Sequence, residues 1–91
     1  MQDIRVLIGS RIRSLRKEAG MSQETLGFKA DLDRTYIASV EGGKRNISIV
    51  NIEKVSLALG HSLTEFFSAP SFGSDDKKYA KAAEKNDSKY C

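Results

Sequence analysis

The sequence predicts an all-α domain over residues 1–69, followed by a polar tail, 70–91. Three observations carry that expectation. Apolar residues recur at helical spacing as far as residue 67, and no run alternates as a strand would. Gly and small polar residues punctuate the pattern at helix-length intervals. The single proline, Pro70, lies beyond the last apolar segment, so no helix contains a breaker.

In the first helix, Ile4, Leu7, Ile8, Ile12, Leu15 and Ala19 form one apolar stripe, and Gly20 ends it. Gly9 inside that helix costs about 1 kcal/mol relative to Ala, which implies close packing against a neighbour. Arg11 falls beside the stripe and is expected to extend outward into water. Ser22 caps a second, short helix whose Leu26 and Ala30 face inward. A tight connection over residues 29–32 leads to a third helix, with Asp33 as N-cap and Gly42-Gly43 as stop. On it Ile37 and Val40 share one face, while Arg34, Thr35, Ala38 and Ser39 share the other. Ser48 caps a fourth helix that ends at Gly60, with Ile52, Val55, Ser56 and Leu59 as its core stripe. Ser62 or Thr64 starts a last turn carrying Leu63, Phe66 and Phe67.

Ninety-one residues make one small domain with a tail. No run of about 18 apolar residues is present, nor a signal-like apolar segment, so the expectation is a cytoplasmic protein that does not enter a membrane. Cys91 is the sole cysteine, which excludes an intrachain disulfide and a Cys-based zinc site. His61 is expected to be a surface residue with no second ligand beside it, and neither metal nor cofactor is expected. No nucleophile–base pair or phosphate-cradling Gly loop points to an enzyme. The net charge of +3 permits a polyanionic partner without requiring one. The tail is rich in Ser, Asp, Lys and Ala, reads as flexible, and leaves open a protein partner that orders it on contact.

Two short helices joined by about four residues, the second with a short hydrogen-bonding outer face, have the shape of a helix-turn-helix. Such a unit lays its second helix in the major groove of double-stranded DNA. The outward residues suit that surface. Arg34 can fork onto guanine O6 and N7, and Thr35 and Ser39 can bond either base type. Lys44, Arg45 and Asn46 follow the helix where a phosphate would pass, and Gln23 stands at a helix N-terminus suited to another.

The ordered strings "LRKEAGMSQETL", "LDRTYI", "EGGKRN" and "ALGHSLTEFF" resemble the Xre/Cro-type helix-turn-helix regulators of phage. Most closely they resemble the controller proteins of restriction–modification systems. The resemblance spans about Arg11 to Phe67 and implies a compact five-helix, lambda-repressor-like fold. It also implies base reading by Arg34, Thr35 and Ser39, with Tyr36 near the backbone or at a deformed step; apart from the resemblance, Tyr36 reads equally well as packed on the flank. It implies an ion pair between Arg16 and Glu41, whose positions beside their apolar stripes suit partial burial. Two residues depart from the family pattern. Asp31 stands where the turn often has Gly, and Gly27 where the helix contact often has Ala.

Val50 and Leu57 lie seven residues apart, on the side of the fourth helix away from its core stripe. Adjacent Phe66 and Phe67 cannot both face the core. With one of that pair, Val50 and Leu57 are candidates for a C2 homodimer interface that would set two reading helices about one DNA turn apart. The expected function is a homodimeric, sequence-specific transcriptional regulator on a pseudo-palindromic operator, controlling a restriction–modification operon. The alternative is an antitoxin-type DNA-binding protein that also holds a toxin through its tail.

Overall fold

The computed structural model describes residues 3–73. Five α-helices follow one another: α1 (Ile4–Glu18), α2 (Gln23–Ala30), α3 (Arg34–Glu41), α4 (Ile49–Ala58) and α5 (Leu63–Phe66). A 3-10 turn, Pro70–Phe72, closes the described chain. Among the described residues there is no strand, and no helix is long and apolar enough to cross a membrane.

Caps set the boundaries. Ser22, Ser48 and Ser62 each accept a hydrogen bond from the third backbone N–H of the helix they open, relieving one of its orphan donors. At α5 the device is reciprocal, because Ser62 N–H donates to the Glu65 carboxylate at 2.8 Å. That backbone bond holds Glu65 below the usual carboxylate range. Gly20 and Gly43 reverse the chain at positive φ, 69° and 71°, where a side chain would be strained.

The core is a single cluster fed by every helix. Ile8, Ile12 and Leu15 of α1 meet Leu26 and Ala30 of α2, Ile37 and Val40 of α3, Val55 and Leu59 around α4, and Phe66 of α5. Each large side chain buried there stabilises by about 1.5–3 kcal/mol relative to exposure. Ser56 is the buried polar member. Its hydroxyl is satisfied by His61 O, 2.8 Å away.

Several expectations change. Ile4 and Ala19 leave the α1 stripe: both are exposed, and Ala19 is already the C-cap. Leu7 is half-buried and stands outside the core cluster. Arg11 does not extend into water. Its Nε and Nη2 donate to Phe66 O and Glu65 O, each at 2.7 Å, and so satisfy carbonyls at the end of α5. His61 is half-buried, and its Nδ1 has no hydrogen-bond partner. Phe66 is fully buried, which removes it from the candidate dimer interface. Phe67, at 42% exposure, is the outward member of the pair. The first residues assigned to the tail fold back, and half-buried Phe72 stacks 5.2 Å from Phe67 and 6.4 Å from Phe66, centroid to centroid. Cys91 and residues 74–91 of the tail lie outside the described residues.

Two close approaches fix the helix packing. A Cβ at Gly9 would overlap Val40 O and stand 2.8 Å from Glu41 O, so α1 can meet the end of α3 only through a residue without a side chain. A Cβ at Gly27 would stand 2.6 Å from Leu32 O, so Gly, not the Ala common at this position, fits the α2–α3 junction. Gly9→Ala should therefore destabilise by about 1–3 kcal/mol through overpacking, outweighing the roughly 1 kcal/mol helix-propensity gain. Urea unfolding checks this. An unchanged or raised midpoint would show that α1 and α3 can separate without penalty.

Candidate nucleic-acid interface

The α2–α3 unit turns on one residue. Asp31 caps α2 in the left-handed region, φ 57° and ψ 44°, where Asp is tolerated better than most non-Gly residues. Leu32 N–H returns to Gly27 O at 2.8 Å, and half-buried Leu32 packs on the core. Asp33 then takes the N-cap backbone position of α3, but its carboxylate makes no cap bond. Instead Thr35 Oγ1 donates to Asp33 Oδ2 at 2.7 Å, which holds Asp33 below the usual carboxylate range.

This leaves Arg34, Thr35 and Ala38 exposed on the outer face of α3, with Ser39 half-buried beside them. Ser39 Oγ donates back to Thr35 O at 3.0 Å. Both hydroxyl protons are thus engaged within the helix, and what Thr35 and Ser39 offer outward is acceptor lone pairs and, on Thr35, a methyl group. Arg34 has 66% of its side chain exposed and only a loose ion pair, 3.9 Å to Glu24.

Behind this face α3 is anchored by charge. Arg16 Nε and Nη2 donate to Glu41 Oε2 and Oε1 at 2.7 and 2.9 Å, a fork-on-fork pair. Only 11% and 4% of the two side chains remain exposed. The bond to Glu41 holds the Arg16 guanidinium even more firmly protonated than usual. Arg16 Nη1 also donates to Met21 O at 2.8 Å, linking the α1–α2 turn to the same knot. Gln23 joins it too. Its Nε2 donates to Glu41 Oε1 at 3.2 Å, so one of its two amide protons points into the protein and not toward an outside ligand.

Past α3, Lys44, Arg45 and Asn46 are all exposed in the loop to α4. Arg45 lies with its guanidinium carbon 5.0 Å from the centroid of the Tyr36 ring. Half-buried Tyr36 packs against the core, and its hydroxyl accepts from Asn51 Nδ2 at 3.0 Å. Sequence reasoning missed Asn51, Asp33 and Glu24 as members of this surface. Asp33 and Thr35 are two apart at a helix start, a local pairing that spacing could have suggested. Asn51 reaches Tyr36 across 15 residues and leaves no such signal.

Of the interface candidates, Val50 and Leu57 are exposed at 59% and 65%. Val50 lines a shallow depression with Ile49, Glu53 and Leu63, whereas Leu57 lies with Lys54 and Ala58 beside the α2–α3 turn.

The helix-turn-helix family model matches residues 12–66. The chain is 51% identical over 69 residues to the control protein C.MunI of a Mycoplasma species, covering 75% of this chain and 93% of that protein. It is similar to the crystal structure of the restriction-modification controller protein C.AhdI from Aeromonas hydrophila, with 49% identity and a TM-score of 0.67, covering 69% of this chain and 96% of that one. It is also similar to the controller protein C.Esp1396I, seen as a tetramer in complex with its natural 35 base-pair operator. There the identity is 36% and the TM-score 0.69, over 74% of this chain and 88% of that one.

The Arg16–Glu41 pair is sheltered enough to matter to stability. Arg16→Met leaves the Glu41 carboxylate buried without its cation and should cost about 3–5 kcal/mol. Replacing both partners by apolar residues should recover much of that loss, since no lone charge is then buried. Urea unfolding of the single and double variants measures both. A loss below about 1 kcal/mol for Arg16→Met would match a solvated surface pair and contradict the anchoring role.

Proposed function

The chain belongs to the helix-turn-helix family, and we propose that it is a sequence-specific transcriptional regulator that binds a pseudo-palindromic operator as a homodimer and controls a restriction–modification operon. The observation that carries this reading is the outer face of α3. A rigidly anchored two-turn helix presents Arg34, a fork of donors, beside the outward acceptors of Thr35 and Ser39. That is the mixture base edges in the major groove require. The relatives reported above are control proteins, one of them seen on its operator; the antitoxin reading draws no support from them.

In this reading Arg34, Thr35 and Ser39 contact base edges. Lys44, Arg45 and Asn46 hold phosphates, Tyr36 lies against the backbone, and Gln23 contributes through the amide proton it does not give to Glu41. The DNA-binding unit is residues 1–69 together with the Pro70–Phe72 turn at the start of the 70–91 tail, since Phe72 packs on it. Val50, Leu57 and Phe67 supply apolar surface for the dimer, with Ile49 and Leu63 beside Val50. The protein works in the cytoplasm, needs no cofactor and catalyses no reaction.

Arg34→Ala should cost about 1–3 kcal/mol on the cognate duplex and little on random DNA, relaxing preference at one base pair per half-site. Lys44→Ala should weaken every sequence about equally and reduce the salt slope by about one unit. Titrations of both variants against specific and random duplexes at several salt concentrations distinguish the two roles. Equal losses on both duplexes for Arg34→Ala would make Arg34 a phosphate holder instead.

Val50→Glu places a carboxylate beside Glu53 in the apolar depression and, across a two-fold axis, against its own copy. It should give a folded monomer with poor operator affinity. Sedimentation at tens of micromolar, well above a Kd of about 1 µM for a weak dimer, reads the outcome. A monomeric wild type at that concentration would overturn the interface.

A further inference from the structure

Tyr36 follows Thr35 on α3, yet its side chain reaches the first turn of α4. Its hydroxyl accepts a hydrogen bond from Asn51 Nδ2, 3.0 Å away. A phenolic oxygen has one proton to give as well as lone pairs to receive. Among the described residues nothing accepts that proton, so the bond to Asn51 leaves it available. The backbone of Asn51 is held in the capped first turn of α4, its N–H donating to Ser48 Oγ at 3.1 Å. On the ring of the same tyrosine lies the exposed guanidinium of Arg45, 5.0 Å from the centroid. A cation and a free O–H are thereby held on one half-buried aromatic side chain.

We propose that Asn51 is a positioning residue for the DNA backbone. By donating to the Tyr36 oxygen it fixes the phenol with its proton outward, beside Arg45, so that the pair meets one phosphodiester oxygen. This rests on the DNA-binding reading above and adds to it a residue on α4. The chemistry is directional. A hydroxyl that receives a hydrogen bond becomes a stronger donor in turn, and a charge-assisted bond from O–H to phosphate is among the stronger polar contacts. Reversing the Asn51 contact would consume the phenolic proton and leave only a lone pair facing the anion. Because phosphates carry no base identity, this contact adds affinity without sequence preference.

A double-substitution cycle on the full chain tests it, with two probes: a duplex selected by the wild-type protein from a random library, and an unselected random duplex. Asn51→Ala and Tyr36→Phe should each weaken binding by about three- to tenfold, the worth of one polar contact, and by the same factor on both duplexes. The double variant should bind no more weakly than Tyr36→Phe alone, since Asn51 acts only through the hydroxyl. Asn51→Ser, too short to reach the phenol, should repeat the Asn51→Ala result. Urea unfolding and sedimentation confirm that each variant is folded and has the wild-type oligomeric state. Additive losses in the double variant, loss on the selected duplex alone, loss of the oligomer, or no effect of either Asn51 substitution would overturn the proposal while leaving the DNA-binding reading standing. A wild type that binds neither duplex would overturn both.

Discussion

The Arg16–Glu41 pair is the constraint on which the arrangement of this surface depends. A two-turn helix such as α3 has no stability of its own in water, so its direction must be imposed from outside. Glu41 is its last residue and Arg16 lies in the last turn of α1. The fork between them fixes distance and plane together, which a point charge such as lysine could not do. Through Met21 O and Gln23 the same two residues hold the α1–α2 turn and the start of α2. One charged knot therefore sets three chain segments in relation to one another. Burying it is affordable only because each carboxylate oxygen receives a guanidinium N–H and Nη1 finds Met21 O.

Apolar packing supplies the force, and backbone contact supplies the precision. Gly9 lets α1 approach the carbonyls at the end of α3, next to Glu41 itself, and Gly27 lets α2 approach the connection that feeds α3. Both glycines weaken the helices they occupy. Their compensation is that α3 is gripped at each end by main-chain contact, with no flexible side chain between. The outer face of α3 can then carry Arg34, Thr35, Ala38 and Ser39, none of which is needed for the core, since Ile37 and Val40 are enough to bury the inner one.

How much of this was legible in the sequence follows from the range of each interaction. The caps at Ser22, Ser48 and Ser62 and the stop at Gly42 are local, and the residues announce them; the turn at Asp31 was legible only through the family resemblance. The core stripes were legible because helical period is local too, failing in α1 at Ile4 and Ala19, which stay exposed, and at Leu7, which is half-buried outside the core cluster. What period cannot supply is the partner of a side chain that crosses the core. Arg11 looked like a solvent-facing cation, yet it ends on carbonyls more than fifty residues away. The Phe66/Phe67 pair posed a choice that the sequence framed, and packing resolved it in favour of Phe66. Phe72 looked like tail composition, because one aromatic residue after a proline gives no periodic signal. Asn51 was silent for the same reason. The Arg16–Glu41 pair came from family resemblance, with periodicity adding only that the two positions allowed it.

The charges around α3 also favour discrimination over tight grip. Two carboxylates, Glu24 and Asp33, flank the exposed start of the helix, and the first stands within ion-pair reach of Arg34. Near a polyanion each is unfavourable, so their presence lowers the affinity of this surface for DNA of any sequence. The net charge of only +3 points the same way. The cost of releasing Arg34 from Glu24 is small, because a pair this exposed is worth about 0–1 kcal/mol. On the proposed role of Arg34, a guanine that takes both arms of the fork more than replaces it, whereas a phosphate that takes one arm must also approach Glu24 and Asp33. Asp33 contributes once more by engaging the Thr35 proton, which fixes that hydroxyl as an acceptor toward the groove. In the proposed DNA-bound arrangement, the acidic residues at the start of α3 work against non-specific attraction, and Asp33 orients the Thr35 hydroxyl, leaving backbone affinity to the cations beyond the helix end.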